Sequence, residues 1–204
     1  MKHLYFIRHG QTEFNVKGIV QGRGVDSDLN SVGKQQRDAF FENYQQKDFD
    51  SVITSTLKRT IQTVEPFINS GLPHHKYSEL DEISWGIYEG KVANKALHQD
   101  YKNLIKSWGE GDYHVRIENG DSAQEMGDRL NLFVQQAKLL EGENLLICTH
   151  GGCMAFLMTI LQNQPLSAMP QYRHANTGLC KFWYDGQGFH LLLQNDTSHL
   201  PTTK

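Results

Sequence analysis

Hydrophobic and polar positions change period several times along this chain. Residues 3–7, HLYFI, are strand formers without polar alternation, which predicts a strand covered on both faces. A loop punctuated by Gly10, Gly18, Gly22 and Gly24 follows, and Asn30 is positioned to cap a helix reaching about Gln46. Residues 51–54 predict a second strand. Leu57, Ile61 and Val64 then fall at i, i+4 and i+7 on one helix face, with Arg59 pointing elsewhere. Leu97, Tyr101, Leu104, Ile105 and Trp108 make another stripe opposite Lys102 and Lys106, expected as an inserted surface helix. Ser122 and Glu125 form a capping box ahead of Met126, Leu130, Phe133, Ala137 and Leu140, and Gly142 stops that segment. NLLICT predicts a buried strand and CMAFLMTIL an apolar helix. LCKFWY and FHLLL, joined through Asp185-Gly186-Gln187-Gly188, predict a hairpin, so the sheet is mixed. Strands alternating with helices indicate an α/β sandwich, and no repeat or linker divides it.

At 204 residues the chain suits a single domain spanning 1–204, and 38% hydrophobic with 21% charged residues is enough for one core. The net charge of -3 and the lack of a basic block argue against a nucleic-acid partner. Cys148, Cys153 and Cys180 sit in apolar stretches without C-x-x-C spacing and are expected as buried thiols in a reducing compartment. The apolar run after Lys2 is too short for a signal peptide. The run from Cys153 to Leu161 falls short of the ~20 residues of a membrane span, so no membrane partner and a cytoplasmic location are expected.

Two predicted strands end alike, in Arg8-His9-Gly10 and Thr149-His150-Gly151. Ligands of open α/β sheets bind at the carboxyl ends of strands, and a helix starting beyond His150 can direct backbone N–H groups at an anion. The pair therefore suggests a phosphate site, although either histidine alone would be an ordinary loop residue. His74 and His75, beside a proline and without a neighbouring Asp or Cys cluster, are expected to be exposed, and no metal is assigned.

RHGQTEFN with QG and DSDLNSVGKQQ, then STLKRTIQT, LDEISWGIYEG, ENGDS and THGG form five blocks in order. Together they resemble the histidine phosphatase superfamily, which includes the cofactor-dependent phosphoglycerate mutases. The resemblance implies a three-layer α/β/α sandwich on a mixed, mostly parallel sheet, with a small helical lid inserted at roughly 90–120. It makes His9 the nucleophile, Arg8, Arg59 and His150 a phosphate clamp, and Glu82 the proton donor, with Glu89 structural. Thr12, Asn15, Gln21 and Gly22 would line the phosphate pocket, and Gly151 would lend a backbone donor. A neutral imidazole is a competent nucleophile near pH 7, and planar guanidinium groups suit the equatorial oxygens of a phosphoryl group.

The function expected first is a metal-independent phosphomonoesterase that acts on a small phosphorylated metabolite through phosphohistidine, needing no cofactor. A mutase dependent on 2,3-bisphosphoglycerate is the alternative. Its resemblance is weaker because Ile83, not a basic residue, follows Glu82, and because Arg116 stands alone where the glycolytic mutases carry an arginine pair. An inactive phospho-ligand scaffold comes third, since all five catalytic candidates are present. Inorganic phosphate or the metabolite would be the partner, and the chain a monomer or homodimer.

Overall fold

The computed structural model describes residues 1–201. Six strands form one sheet: β1 (Lys2–Arg8), β2 (Ser51–Thr54), β3 (His74–Lys76), β4 (Asn144–Thr149), β5 (Leu179–Tyr184) and β6 (Phe189–Asp196), in the order β3-β2-β4-β1-β5-β6. The first four are mutually parallel, β5 runs antiparallel to β1, and β6 returns beside β5 as the expected hairpin. The helices are α1 (Glu13–Val16), α2 (Ser31–Tyr44), α3 (Lys58–Asn69), α4 (Lys95–Gly109), α5 (Ala123–Leu139) and α6 (Gly151–Leu161).

The period-two geometry of the strands sorts the core into two layers. Leu4, Phe6, Ile53, Leu145 and Ile147 face α5 and α6 through Met126, Leu130, Phe133, Phe156 and Leu157. Tyr5, Ile7, Val52, Leu146 and Cys148 face α2 and α3 through Phe40, Val64 and Phe67. The continuous apolar runs of β1 and β4 follow from this double coverage, and the result is the expected three-layer sandwich. Asn30 caps α2 by accepting from the Gly33 N–H, and Ser122 with Glu125 completes the capping box of α5.

Some local readings change. His74 and His75 lie not in a loop but in β3, a three-residue edge strand. His74 is half-buried, its Nε2 2.9 Å from Thr54 Oγ1, and only His75 is exposed. A strand this short and polar carries no hydrophobic signal. The expected surface helix, α4, keeps its polar face outward, while Trp108 and Leu104 of its apolar stripe are buried in the larger core cluster and the Trp108 ring meets Phe156 edge-on. The insertion is thus bolted to the sandwich. The three cysteines are buried and unpaired.

Candidate active site

β1 and β4 are adjacent, parallel and in register to their last residues, Arg8 opposite Thr149. The backbone N–H of His9 donates to Thr149 O at 2.9 Å, which brings the His9 and His150 rings to a centroid separation of 5.3 Å. Gly10 is required here because a Cβ would lie 2.7 Å from Gly33 O at the start of α2. His9 is buried, and its Nδ1 lies 2.7 Å from Gly10 O. A carbonyl only accepts, so Nδ1 carries the hydrogen and Nε2 keeps a lone pair. Burial first, then the Arg8 and Arg59 charges, hold this imidazole well below its ordinary pKa, against the raising effect of the Gly10 bond. Among the described residues Nε2 makes no hydrogen bond.

His150 is also buried and held well below its ordinary pKa by burial, then by Arg59, His9 and Arg8. Its hydrogen bonds differ. Arg59 Nε donates to Nδ1 at 3.1 Å, and Nε2 donates to Ser55 Oγ at 2.8 Å. The sequence reading places His150 in the phosphate clamp; in this structure both its nitrogens are engaged by protein groups, Arg59 and Ser55. Arg59, fully buried, also donates to Val25 O and Gly22 O, so three of its five N–H groups are taken. Arg8 donates to His174 O at 2.7 Å, and its buried Nε has no partner among the described residues. Arg8 is therefore the less committed guanidinium.

Glu82 is buried against the start of α6. Its Oε1 accepts from the N–H groups of Ile83 and Cys153, and its Oε2 from Gly152 at 3.0 Å, so first-turn donors of the helix hold the carboxylate. Oε2 takes a single bond and Oε1 takes two. The segment carrying Glu82 is clasped by Arg129 of α5, whose Nη1 donates to the carbonyls of Ser78, Glu79 and Asp81 and whose Nη2 reaches Glu82 O. Glu89 accepts from Ser84 Oγ, Trp85 N and Gly24 N.

The remaining candidates divide. Thr12 is the N-cap of α1 and bonds Asn15 and Gln21. Asn15 Oδ1 accepts from Thr12 N and weakly from Asn176, while its Nδ2 has no partner among the described residues. Gln21 is held by Thr12 and Ser27. Gly22 lacks a side chain for Glu89, whose Oε1 would lie 1.9 Å from a Cβ there, so the glycine serves packing before any ligand. Gly151 lies against Arg8, where a Cβ would come to 3.2 Å from Nε, closer than ordinary contact. Arg8, Glu82, Gly151 and Gly152 line one cavity of about 600 Å³ together with Trp85, Tyr101, Lys102, Arg173 and His174. Sequence reasoning missed Ser55, Arg129, Arg173, His174 and Asn176, the last of which donates to His9 O at 2.9 Å. Only Ser55, inside the STLKRTIQT block, carried any signal.

The sequence profile described as histidine phosphatase superfamily (branch 1) matches residues 4–197. A Hydrogenobacter thermophilus protein bearing the name phosphoserine phosphatase 2 is 29% identical over 202 residues, 98% of each chain. One from Shigella dysenteriae serotype 1 bearing the name phosphoglycerate mutase GpmB is 28% identical over 207 residues, 98% of this chain and 95% of the other. The crystal structure of the α-ribazole phosphatase from Shigella flexneri superposes with a TM-score of 0.82 at 25% identity, covering 95% of this chain and 96% of that one.

Proposed function

Since the chain belongs to the histidine phosphatase superfamily, branch 1, we infer that it is a phosphomonoesterase that hydrolyses a small phosphorylated metabolite in two steps through phosphohistidine on His9. The observation that carries the covalent step is the Nδ1 bond to Gly10 O, which leaves the Nε2 lone pair of a neutral, buried imidazole as the nucleophile. In the first step the Nε2–P bond forms as the P–O ester bond breaks, and Glu82 gives its proton to the leaving alkoxide. In the second, Glu82 takes a proton from water as the water oxygen attacks phosphorus and the N–P bond breaks.

Arg8 and the uncommitted N–H groups of Arg59 meet the charge spread over the equatorial oxygens, with Gly151 N and Asn15 Nδ2 as further donors. These groups supply the positive charge from the chain itself, so the reaction needs neither metal nor cofactor. The mutase reading is the weaker one. Ile83 is buried in the core, and Arg116 pairs with Glu125 at 2.8 Å, lining a different depression from the one that holds Glu82. The setting is the cytoplasm, where phosphorylated metabolites are plentiful.

Phosphate release from a panel of esters in EDTA, with brief substrate incubation and site mapping by mass spectrometry, tests the reading. Turnover that survives chelation with phosphate on His9 supports it. Turnover restored only by added Mg²⁺ or Zn²⁺, or phosphate on another residue, overturns it.

A further inference from the structure

Charge around the substrate cavity is unbalanced. Arg8, Lys102 and Arg173 line it, and among the described residues Glu82 is the only carboxylate that does so, already holding three backbone N–H groups. Arg8, at the end of β1, faces the phosphoryl position, whereas Lys102 and Arg173 are exposed and make no ion pair or side-chain hydrogen bond among the described residues. Exposed cations are usually no more than solvated surface. These two differ in standing on rigid supports that converge on one cavity. Lys102 projects from α4, which Leu104 and Trp108 anchor in the core. Arg173 lies between buried Tyr172 and buried His174, whose carbonyl is the one that accepts from Arg8. The Tyr101 ring, packed edge-on against Trp85 at 5.6 Å, lies within electrostatic reach of both Arg173 and Glu82 and completes the rim.

We propose that Lys102 and Arg173 form a second anion subsite and that the preferred substrate is a phosphomonoester whose leaving alcohol carries another negative group, a carboxylate or a second phosphate. The inference rests on the phosphomonoesterase reading. On that reading, a phosphoryl group held by Arg8 has its alcohol in the cavity that Arg8, Glu82 and both cations line. Steering and charge-assisted bonds there favour an anionic alcohol and disfavour a cationic one.

The test compares kcat/KM within matched pairs. O-phosphoserine and O-phosphoethanolamine differ by a carboxylate, as do 3-phosphoglycerate and glycerol 3-phosphate; fructose 1,6-bisphosphate and fructose 1-phosphate differ by a phosphate. The anionic member of the carboxylate pairs, the bisphosphate pair, or both should be favoured roughly 10–100-fold, the range of one or two charge-assisted bonds, and the winning pair identifies the anion. Arg173→Gln and Lys102→Gln should each shrink that ratio, and Arg173→Glu should bring it to unity or reverse it. Equal turnover across every pair overturns the proposal, as does a ratio unmoved by all three substitutions.

Beyond Trp85 and Tyr101 lies an apolar recess of about 300 Å³ lined by Val20, Leu97 and Ile117. A preference for aromatic esters that is indifferent to Arg173 would place the alcohol there and equally overturn the proposal. No turnover of any ester, p-nitrophenyl phosphate included, would instead remove the phosphomonoesterase reading and this one with it.

Discussion

At the end of β1 one histidine nitrogen is tied to a backbone carbonyl and the other is left over; at the end of β4 both are tied. The two strands run side by side, end in the same His-Gly pair and bury both rings, yet they hold opposite tautomers. His9 donates from Nδ1 to Gly10 O and keeps its lone pair on Nε2. His150 accepts at Nδ1 from Arg59 and donates from Nε2 to Ser55. Burial and arginine charge depress both pKa values, so electrostatics alone does not tell the rings apart. The difference lies in what each ring meets first: a carbonyl one residue away in the first case, a guanidinium and a hydroxyl from distant segments in the second. Two histidines that share a sequence pattern can thus be told apart by one hydrogen-bond partner, and the proposed nucleophile is the one that keeps a free nitrogen.

The contrast is broken most directly at His9. His9→Ala should lose roughly 10⁴-fold or more in turnover, as expected when a nucleophile is removed, and should take up no phosphate from substrate. A phosphate found on His150 of the wild-type chain would erase the distinction. His150→Ala should fall by roughly 10²–10³-fold through a misplaced Arg59, yet still be phosphorylated at His9; single-turnover mapping checks both outcomes.

Arg129 extends the comparison to Glu82, whose segment it clasps through four carbonyls of residues 78–82. Arg129→Met should slow phosphorylation by an alkyl phosphate by up to roughly 10²-fold, the scale of a small misplacement, and slow it less for p-nitrophenyl phosphate, whose leaving group needs little protonation. A thermal melt beside the kinetics separates this graded loss from simple unfolding, which would lower both substrates alike.

The smallest difference between the two histidines should appear in stability against pH, where they act alike. His9, His150 and His174, the last with a pKa of about 4 set by burial and then Arg8, stay neutral in the fold. The unfolded chain binds these protons as pH falls through ~6.5 while the folded chain does not, so the stability present above that pH is lost on the way down toward pH 4. Each ring contributes up to ~1.4 kcal/mol per pH unit. Urea midpoints between pH 7.5 and 4.5 should fall, and His9→Asn and His150→Asn should flatten the fall by similar amounts. A flat profile in the wild-type chain would mean that the rings are not held neutral.

Local order was written into the residues themselves. Unbroken apolar runs declared β1 and β4 as doubly covered strands, S-x-x-E announced the start of α5, and the R-H-G, L-D-E and T-H-G-G blocks pointed to Arg8, His9, Glu82 and His150. These signals are legible because strand burial, helix capping and phosphate chemistry impose residue types within a few positions of one another. Tertiary structure decided the rest. β3 became a strand only by pairing with β2, which three polar residues could not advertise. Gly22 was needed for Glu89, sixty-seven positions away, and Arg129 for the carbonyls of a loop about fifty positions earlier. Arg173 came to the rim because the segment before β5 folds back over Arg8. Hydrogen bonds and charges act through a few ångströms of space, and the pairing of distant segments, not the spacing of letters, determines which groups fall within that reach.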